Sequence, residues 1–249
     1  TPADADVLLF NTCSVREHAE DKTYSALGRV RLVKRDNPDA VIGVLGCMAQ
    51  KDQDAIRKRA PYVDMVVGTG QLGAVPDLVD RVRATREPQL AVSLGRAAGG
   101  RSEVEASFVS YDPARDPSMR PTPFQAYVRI QIGCDNTCAY CIVPAVRGRE
   151  ISRPLDDIVR EVSELASTGV TEVTLLGQNV NSYGRDIALS ARQAGDDVRV
   201  SPRFAELLRR VGSVDGIRRV RYTSPHPKDM REDVLRAMAE TPSVCEHLH

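Results

Sequence analysis

Short apolar runs recur along this chain, each followed by a polar stretch of helical character, and that alternation limits the fold more than any other feature. "ADVLLF" leads into "SVREHAEDKTYSALGRVRLVKRD", "AVIGVLG" into "QKDQDAIRKRA", and "VDMVVG" into "LGAVPDLVDRVRAT". Strands of this length separated by polar helices imply a parallel sheet covered by helices. The rhythm stops at residues 86–123, where "REPQLAVSLGRAAGGRSEVEASFVSYDPARDPSMRPTP" mixes Pro, Gly, Ser and charge without a period. That composition is that of an interdomain segment, with "SFVSY" as a candidate edge strand.

The alternation then resumes. "AYVRIQIG", "VTEVTLLG" and "IRRVRYTS" read as strands, and "LDDIVREVSELASTG", "RFAELLRRVGSVDG" and "DMREDVLRAMAET" as the helices that follow them. Three successive right-handed units suggest a (β/α) barrel or part of one. The chain stops where a fourth strand is expected, so the barrel reads as truncated on its C-terminal side. "GRDIALSARQAGDDVRVSP" has no clear period and reads as a polar loop. The expected organisation is an α/β chain: an open parallel sheet over 1–85, the interdomain segment 86–123, and a partial barrel over 124–249. The first residue is Thr rather than Met and the last are "CEHLH"; both ends read as cut.

The chain has six cysteines among 249 residues, with no secretory signal and no apolar run of membrane-spanning length. Such usage points to a reducing compartment, and to metal or redox roles before disulfides. Formal net charge is zero, so no global basic field marks a nucleic-acid binder, although a local patch or a missing domain would serve.

Three of the cysteines crowd one loop, in "GCDNTCAYCIVP", spaced Cys134-x3-Cys138-x2-Cys141. Loops leaving the C-terminal ends of strands carry the chemistry in parallel α/β folds. Three thiolates suit an iron–sulfur cubane with one iron left open. A structural zinc normally takes four ligands, and here His226 or Cys245 would have to be recruited from a distance. Three buried thiols are the third reading, although a loop rich in Gly, Asp and Asn is a poor place for burial. Cys13 and Cys47 each end an apolar run, in "VLLFNTC" and "VIGVLGC". Equivalent positions on neighbouring strands would bring both thiols to one rim of the sheet; otherwise each is a small residue at a strand end. Ser14 and Glu17 form a candidate capping box after Cys13.

"GCDNTCAYC" resembles the CxxxCxxC signature of the radical S-adenosylmethionine (SAM) enzymes, including the aromatic residue before the last cysteine. "NTCSVREHAEDK" and "VLGCMAQ" are similar to the amino-terminal domain of the methylthiotransferases within that superfamily. "CIVPAVRGREISRP", "LLGQNVNSYG" and "SPHP" look most like the branch that acts on tRNA. The resemblance runs over nearly the whole chain and is weakest at residues 187–203.

It implies two [4Fe–4S] clusters and SAM as cofactors. Cys134, Cys138 and Cys141 would hold the first cluster, whose open iron chelates SAM. Cys13 and Cys47 would hold the second, whose third family cysteine lies upstream, so that this chain lacks one ligand. Tyr140 would pack near the adenine, Gln178 and Asn179 would meet the SAM amino group, and Ser224 the ribose or carboxylate. Each of the last three otherwise reads as a satisfied turn residue. The implied reaction adds a methylthio group to C2 of N6-isopentenyladenosine next to the anticodon, using one SAM as methyl donor and a second as radical source. Implied partners are tRNA, an electron donor and a sulfur source, with no membrane, in a cytoplasmic monomer. Two alternatives are methylthiolation of a ribosomal-protein aspartate and a non-catalytic, metal-stabilised RNA-binding module. Arg147, Arg149, Arg153, Arg218, Arg219 and Arg221 read as solvated or paired charges, and His18, His247 and His249 as ordinary residues.

Overall fold

The computed structural model describes residues 4–14, 17–94, 118, 120 and 122–248, with Glu17 described by its backbone alone. "SFVSY" and His249 lie outside the described residues. The chain divides into two units, Thr1–Ser110 with Asn136–Gly148, and Tyr111–Asp135 with Arg149–His249.

The first unit is built on four parallel strands in the order β1 (Val7–Thr12), β2 (Val41–Gly46), β3 (Met65–Val67) and β4 (Gln89–Ala91). All six residues of β2 are buried, because helices cover both faces of the sheet. Alternate side chains of the strand serve two separate cores. Ile42 and Val44 join Leu27 and Val30 of α1 (Glu17–Asp36), Met48 of α2 (Cys47–Asp52) and Ile56 of α3 (Asp54–Arg59). Val41 and Leu45 join Leu78, Val79 and Val82 of α4 (Val75–Thr85). A continuous apolar run such as "AVIGVLG" is what a strand covered on both faces requires.

Several local expectations change here. The segment read as interdomain contributes β4, whose Gln89, Leu90 and Ala91 pair in parallel with Met65, Val66 and Val67. Three residues, none of them buried, are too few to carry a period. The second helix opens at Cys47 itself, and breaks at Gln53, where φ is 44°. Of the expected capping box, Ser14 Oγ is buried with no hydrogen-bond partner among the described residues, and the Glu17 side chain lies outside them.

The second unit contains three parallel strands in the order β5 (Gln125–Arg129), β8 (Glu172–Leu176) and β9 (Arg219–Tyr222). Here helices cover one face. Ala126, Val128, Val173, Leu175, Val220 and Tyr222 pack on α6 (Leu155–Ser167), α8 (Phe204–Gly212) and α9 (Glu232–Glu240). Ile158, Val162 and Leu165 supply the helical stripe of α6, and Phe204 meets Tyr222 edge to face at 5.1 Å. On the opposite face, Glu172 accepts from Gln125 at 2.9 Å and from Arg221 at 3.0 Å, and lies 3.7 Å from Arg219. Cross-strand pairing thus accounts for both arginines on β9, Arg219 and Arg221. Beyond β9 the chain returns to the sheet edge, where Val244 bridges Val220 in parallel and Cys245 N–H donates to Val220 at 3.0 Å.

The first strand of this half ends sooner than its apolar run. Gln131–Ile132 form a separate strand, β6, paired antiparallel with β7 (Ile151–Ser152). Between them in sequence come the cysteine loop and α5 (Val143–Arg147), and Asn136–Gly148, α5 included, belong to the first unit. The stretch read as a polar loop contains α7 (Arg185–Gln193), entered through Gly184 at φ 80°. No residue of α7 is buried, so it has no apolar stripe for a period to reveal.

Candidate functional site

Parallel strands deliver their C-terminal loops to one end of the sheet. In the second unit these are the turns after β5/β6, β8 and β9, and side-chain amides join all three. Gln178 Oε1 accepts from the buried Gly133 N–H at 2.7 Å, and Gln131 Nε2 donates to the Asn179 carbonyl at 2.7 Å. Asn179 Nδ2 donates to the buried carboxylate of Asp229 at 2.7 Å, and Arg185 binds the other Asp229 oxygen at 2.7 Å. Asn181 pairs twice with the His226 backbone, donating to its carbonyl at 2.9 Å and accepting from its N–H at 2.8 Å. Ser224, at the end of β9, is exposed and has φ 59°, the left-handed region that a non-glycine residue rarely occupies. Two buried acceptors at this end, Gln131 Oε1 and Asn179 Oδ1, have no hydrogen-bond partner among the described residues.

The cysteine loop leaves this end through Gly133, at φ 81°. Its neck is closed by the β6–β7 pairing, and Asp135 Oδ1 accepts from the Glu150 N–H at 3.1 Å and from Arg149 Nε at 3.4 Å. Cys134 is buried and Cys138 and Cys141 are half-buried; the Cys141 N–H donates to the Cys138 carbonyl at 3.0 Å. Tyr140, 96% exposed, presents a whole aromatic ring to solvent. Behind the neck, Glu150 accepts from Ser182 Oγ at 2.5 Å while its second oxygen has no partner among the described residues. Burial pushes the Glu150 carboxyl up to about 7, helped by Asp186 and Asp135 and opposed by the Ser182 hydroxyl and Arg185. Arg153 is buried, giving one nitrogen to the Arg129 carbonyl at 2.8 Å and another to Glu161 at 2.6 Å.

In the first unit Thr12 pairs with Gly46 across β1 and β2. Cys13 and Cys47 are the residues that follow these strand ends, the first exposed and the second buried as the opening residue of α2. Gly46 has φ 92°, and a Cβ there would lie 2.6 Å from the Thr12 carbonyl oxygen, so this tight approach requires glycine.

Among the described residues no three His, Cys, Asp or Glu side chains are gathered as a metal-binding group. The fit of the cysteine loop to a cluster therefore rests on its donors. Residues 133–150 supply three thiols and no imidazole or fourth thiol. That soft, incomplete set suits a cubane with one open iron and leaves a structural zinc one ligand short. Cys13 and Cys47 supply only two thiols and so make an incomplete set by themselves.

Gln131, Glu150, Ser182 and Asp229 did not figure among the sequence-derived site residues. Nothing in their spacing singles them out; they matter through what the turns bring to them.

Residues 128–249 match the Radical SAM superfamily, and residues 1–68 match a family described as Uncharacterized protein family UPF0004. A radical SAM domain preceded by that second module is the class of protein that the chain represents. Over 249 residues, all of this chain, it is 51% identical to the tRNA-2-methylthio-N(6)-dimethylallyladenosine synthase of Rhodopirellula baltica, covering 50% of that protein. Over 246 residues (99% of this chain) it is 47% identical to the protein of that name from Mycobacterium ulcerans, covering 43% of it. Over 246 residues (again 99%) it is 46% identical to the one from Streptomyces griseus, covering 44%. The chain belongs to the methylthiotransferase family of radical SAM enzymes. It spans about half the length of the curated relatives it matches.

Proposed function

We propose that this chain forms the catalytic part of a radical SAM tRNA methylthiotransferase, which adds a methylthio group to C2 of N6-isopentenyladenosine next to the anticodon. The observation that carries the reading is the three-thiol loop Cys134-x3-Cys138-x2-Cys141 that follows β6 in the chain, within a chain 51% identical to a tRNA-2-methylthio-N(6)-dimethylallyladenosine synthase. Cys134, Cys138 and Cys141 would hold a [4Fe–4S] cluster, which supplies the electron for reductive cleavage of SAM.

The chain's own residues have separable tasks. Asn179 and Ser224 would receive the polar groups of SAM; what supports this is the exposed Ser224 and the Asn179 Oδ1, a buried acceptor with no hydrogen-bond partner among the described residues. Tyr140 offers an exposed ring to the adenine. Asp229 and Arg185 fix Asn179 from behind. Cys13 and Cys47 contribute two ligands to a second cluster. An upstream cysteine completes that set in the whole protein, and a sulfur source and an electron donor serve the two centres. Among the described residues no helix is long and apolar enough to cross a membrane; action on tRNA as a cytoplasmic monomer is part of the same proposal.

Mass spectrometry of tRNA nucleosides tests this in cells lacking the complete gene. The 2-methylthio group should disappear and N6-isopentenyladenosine accumulate. The complete wild-type gene should restore the modification, and a Cys138→Ala gene should not. An unchanged nucleoside profile would overturn the tRNA reading and direct the search to a ribosomal-protein aspartate. Purified protein that binds zinc and leaves SAM intact would favour a metal-stabilised RNA-binding module.

A further inference from the structure

Two glutamines cross-brace the foot of the cysteine loop. Gln178, on the turn after β8, accepts from the Gly133 N–H at 2.7 Å, and Gln131, on β6, donates to the carbonyl of Asn179 at 2.7 Å. Both donors lie on the β6 side and both acceptors on the turn after β8, but the side chains reach in opposite directions, each glutamine bonding the backbone of the other segment, so the two segments are tied at two points. Space is made for the crossing, because a Cβ on Gly177 would lie 2.8 Å from Gln131 Cγ. Gly133 is buried and sits at φ 81°, immediately before Cys134. Its N–H would be a buried, unsatisfied donor without the glutamine oxygen.

We propose that Gln178 is a positioning residue for the cysteine loop, fixing the Ile132–Gly133 peptide from which Cys134 follows, with Gln131 as its counterpart on the other segment. This rests on the reading of Cys134 as a cluster ligand, and it gives Gln178 a role distinct from direct contact with SAM. A thiolate ligand must be held in place by its backbone, and Cys134 has this brace on one side and the Asp135–Glu150 contact on the other.

The test uses the full-length protein with Gln178→Leu, which removes the acceptor, and Gln178→Glu, which keeps an oxygen in place. In iron-free protein, deuterium exchange at the Gly133 amide should speed up about five- to tenfold in Gln178→Leu and stay near wild type in Gln178→Glu. After reconstitution, iron loss to a chelator should be faster in Gln178→Leu and near the wild-type rate in Gln178→Glu. If the Leu variant also exchanges faster throughout β8, Gln178→Asn replaces it, since a shorter amide keeps the polarity while withdrawing the oxygen. Unchanged exchange and iron loss, with a raised SAM concentration for half-maximal binding, would overturn the proposal and make Gln178 a cofactor contact. Equal acceleration in the Leu and Glu variants would overturn it too. Failure of wild-type protein to hold iron would sink the cluster reading, and exchange at Gly133 would still decide the brace.

Discussion

Glu150 holds a carboxyl in a place that suits a neutral acid. One oxygen takes the Ser182 hydroxyl, the other has no partner among the described residues, and burial raises its pKa from 4.5 to about 7. The folded chain therefore binds more protons here than the unfolded chain does between those two values. This group's contribution to stability is fully present below the unfolded pKa and is lost as pH rises through 7. Glu150→Gln should unfold at a higher urea concentration than wild type at pH 8, by up to about 3 kcal/mol, and differ little at pH 5. A constant difference across that range would show that Glu150 is ionised throughout. Gly46 has a different constraint, set by the backbone. Gly46→Ala should lower the melting temperature, costing about 1–3 kcal/mol, because φ 92° and a contact of 2.6 Å with the Thr12 oxygen both oppose a side chain.

At the scale of elements, the buried Arg153 ties β7 and α6 to β5. It reaches the Arg129 carbonyl at 2.8 Å and Glu161 at 2.6 Å, and its own carbonyl accepts from the buried Tyr183 hydroxyl at 2.7 Å. Removing one member leaves a buried charge uncompensated. Arg153→Met should cost roughly 3–5 kcal/mol in chemical denaturation, and Arg153→Met with Glu161→Leu should recover much of it. A double variant as unstable as the single one would place the cost in lost packing. The sequence reading of Arg153 as solvated or paired captured the pair but had no means to see its burial. Strands with strong apolar runs were readable because burial on one or both faces imposes a period. The helix Arg185–Gln193 and the strand Gln89–Ala91 escaped it, because neither contains a buried residue. β6 escaped for another reason: Gln131 and Ile132 continue the apolar run of β5 but change partner to Ile151 and Ser152.

For the whole molecule, the two sets of cysteines predict separable losses. In the complete protein, Cys13→Ser or Cys47→Ser should lower bound iron by roughly half and leave SAM cleavage in place, whereas Cys138→Ala should abolish cleavage. Equal loss of cleavage from all three variants would contradict a division of labour between the two sites. The local order of residues was enough to establish the alternation of strands and helices, the number and spacing of thiols in the loop, and the placing of Cys13 and Cys47 at successive strand ends. Each depends on neighbours along the chain, whose effects repeat with the period of a helix, a strand or a loop. Which amides and carboxyls meet was decided only by the tertiary structure. Gly133 and Gln178 are 45 positions apart, Gln131 and Asn179 are 48, and Asn179 and Asp229 are 50. Such pairs have no local signature, because parallel register and the course of each turn bring them into hydrogen-bond range only after the sheet has formed.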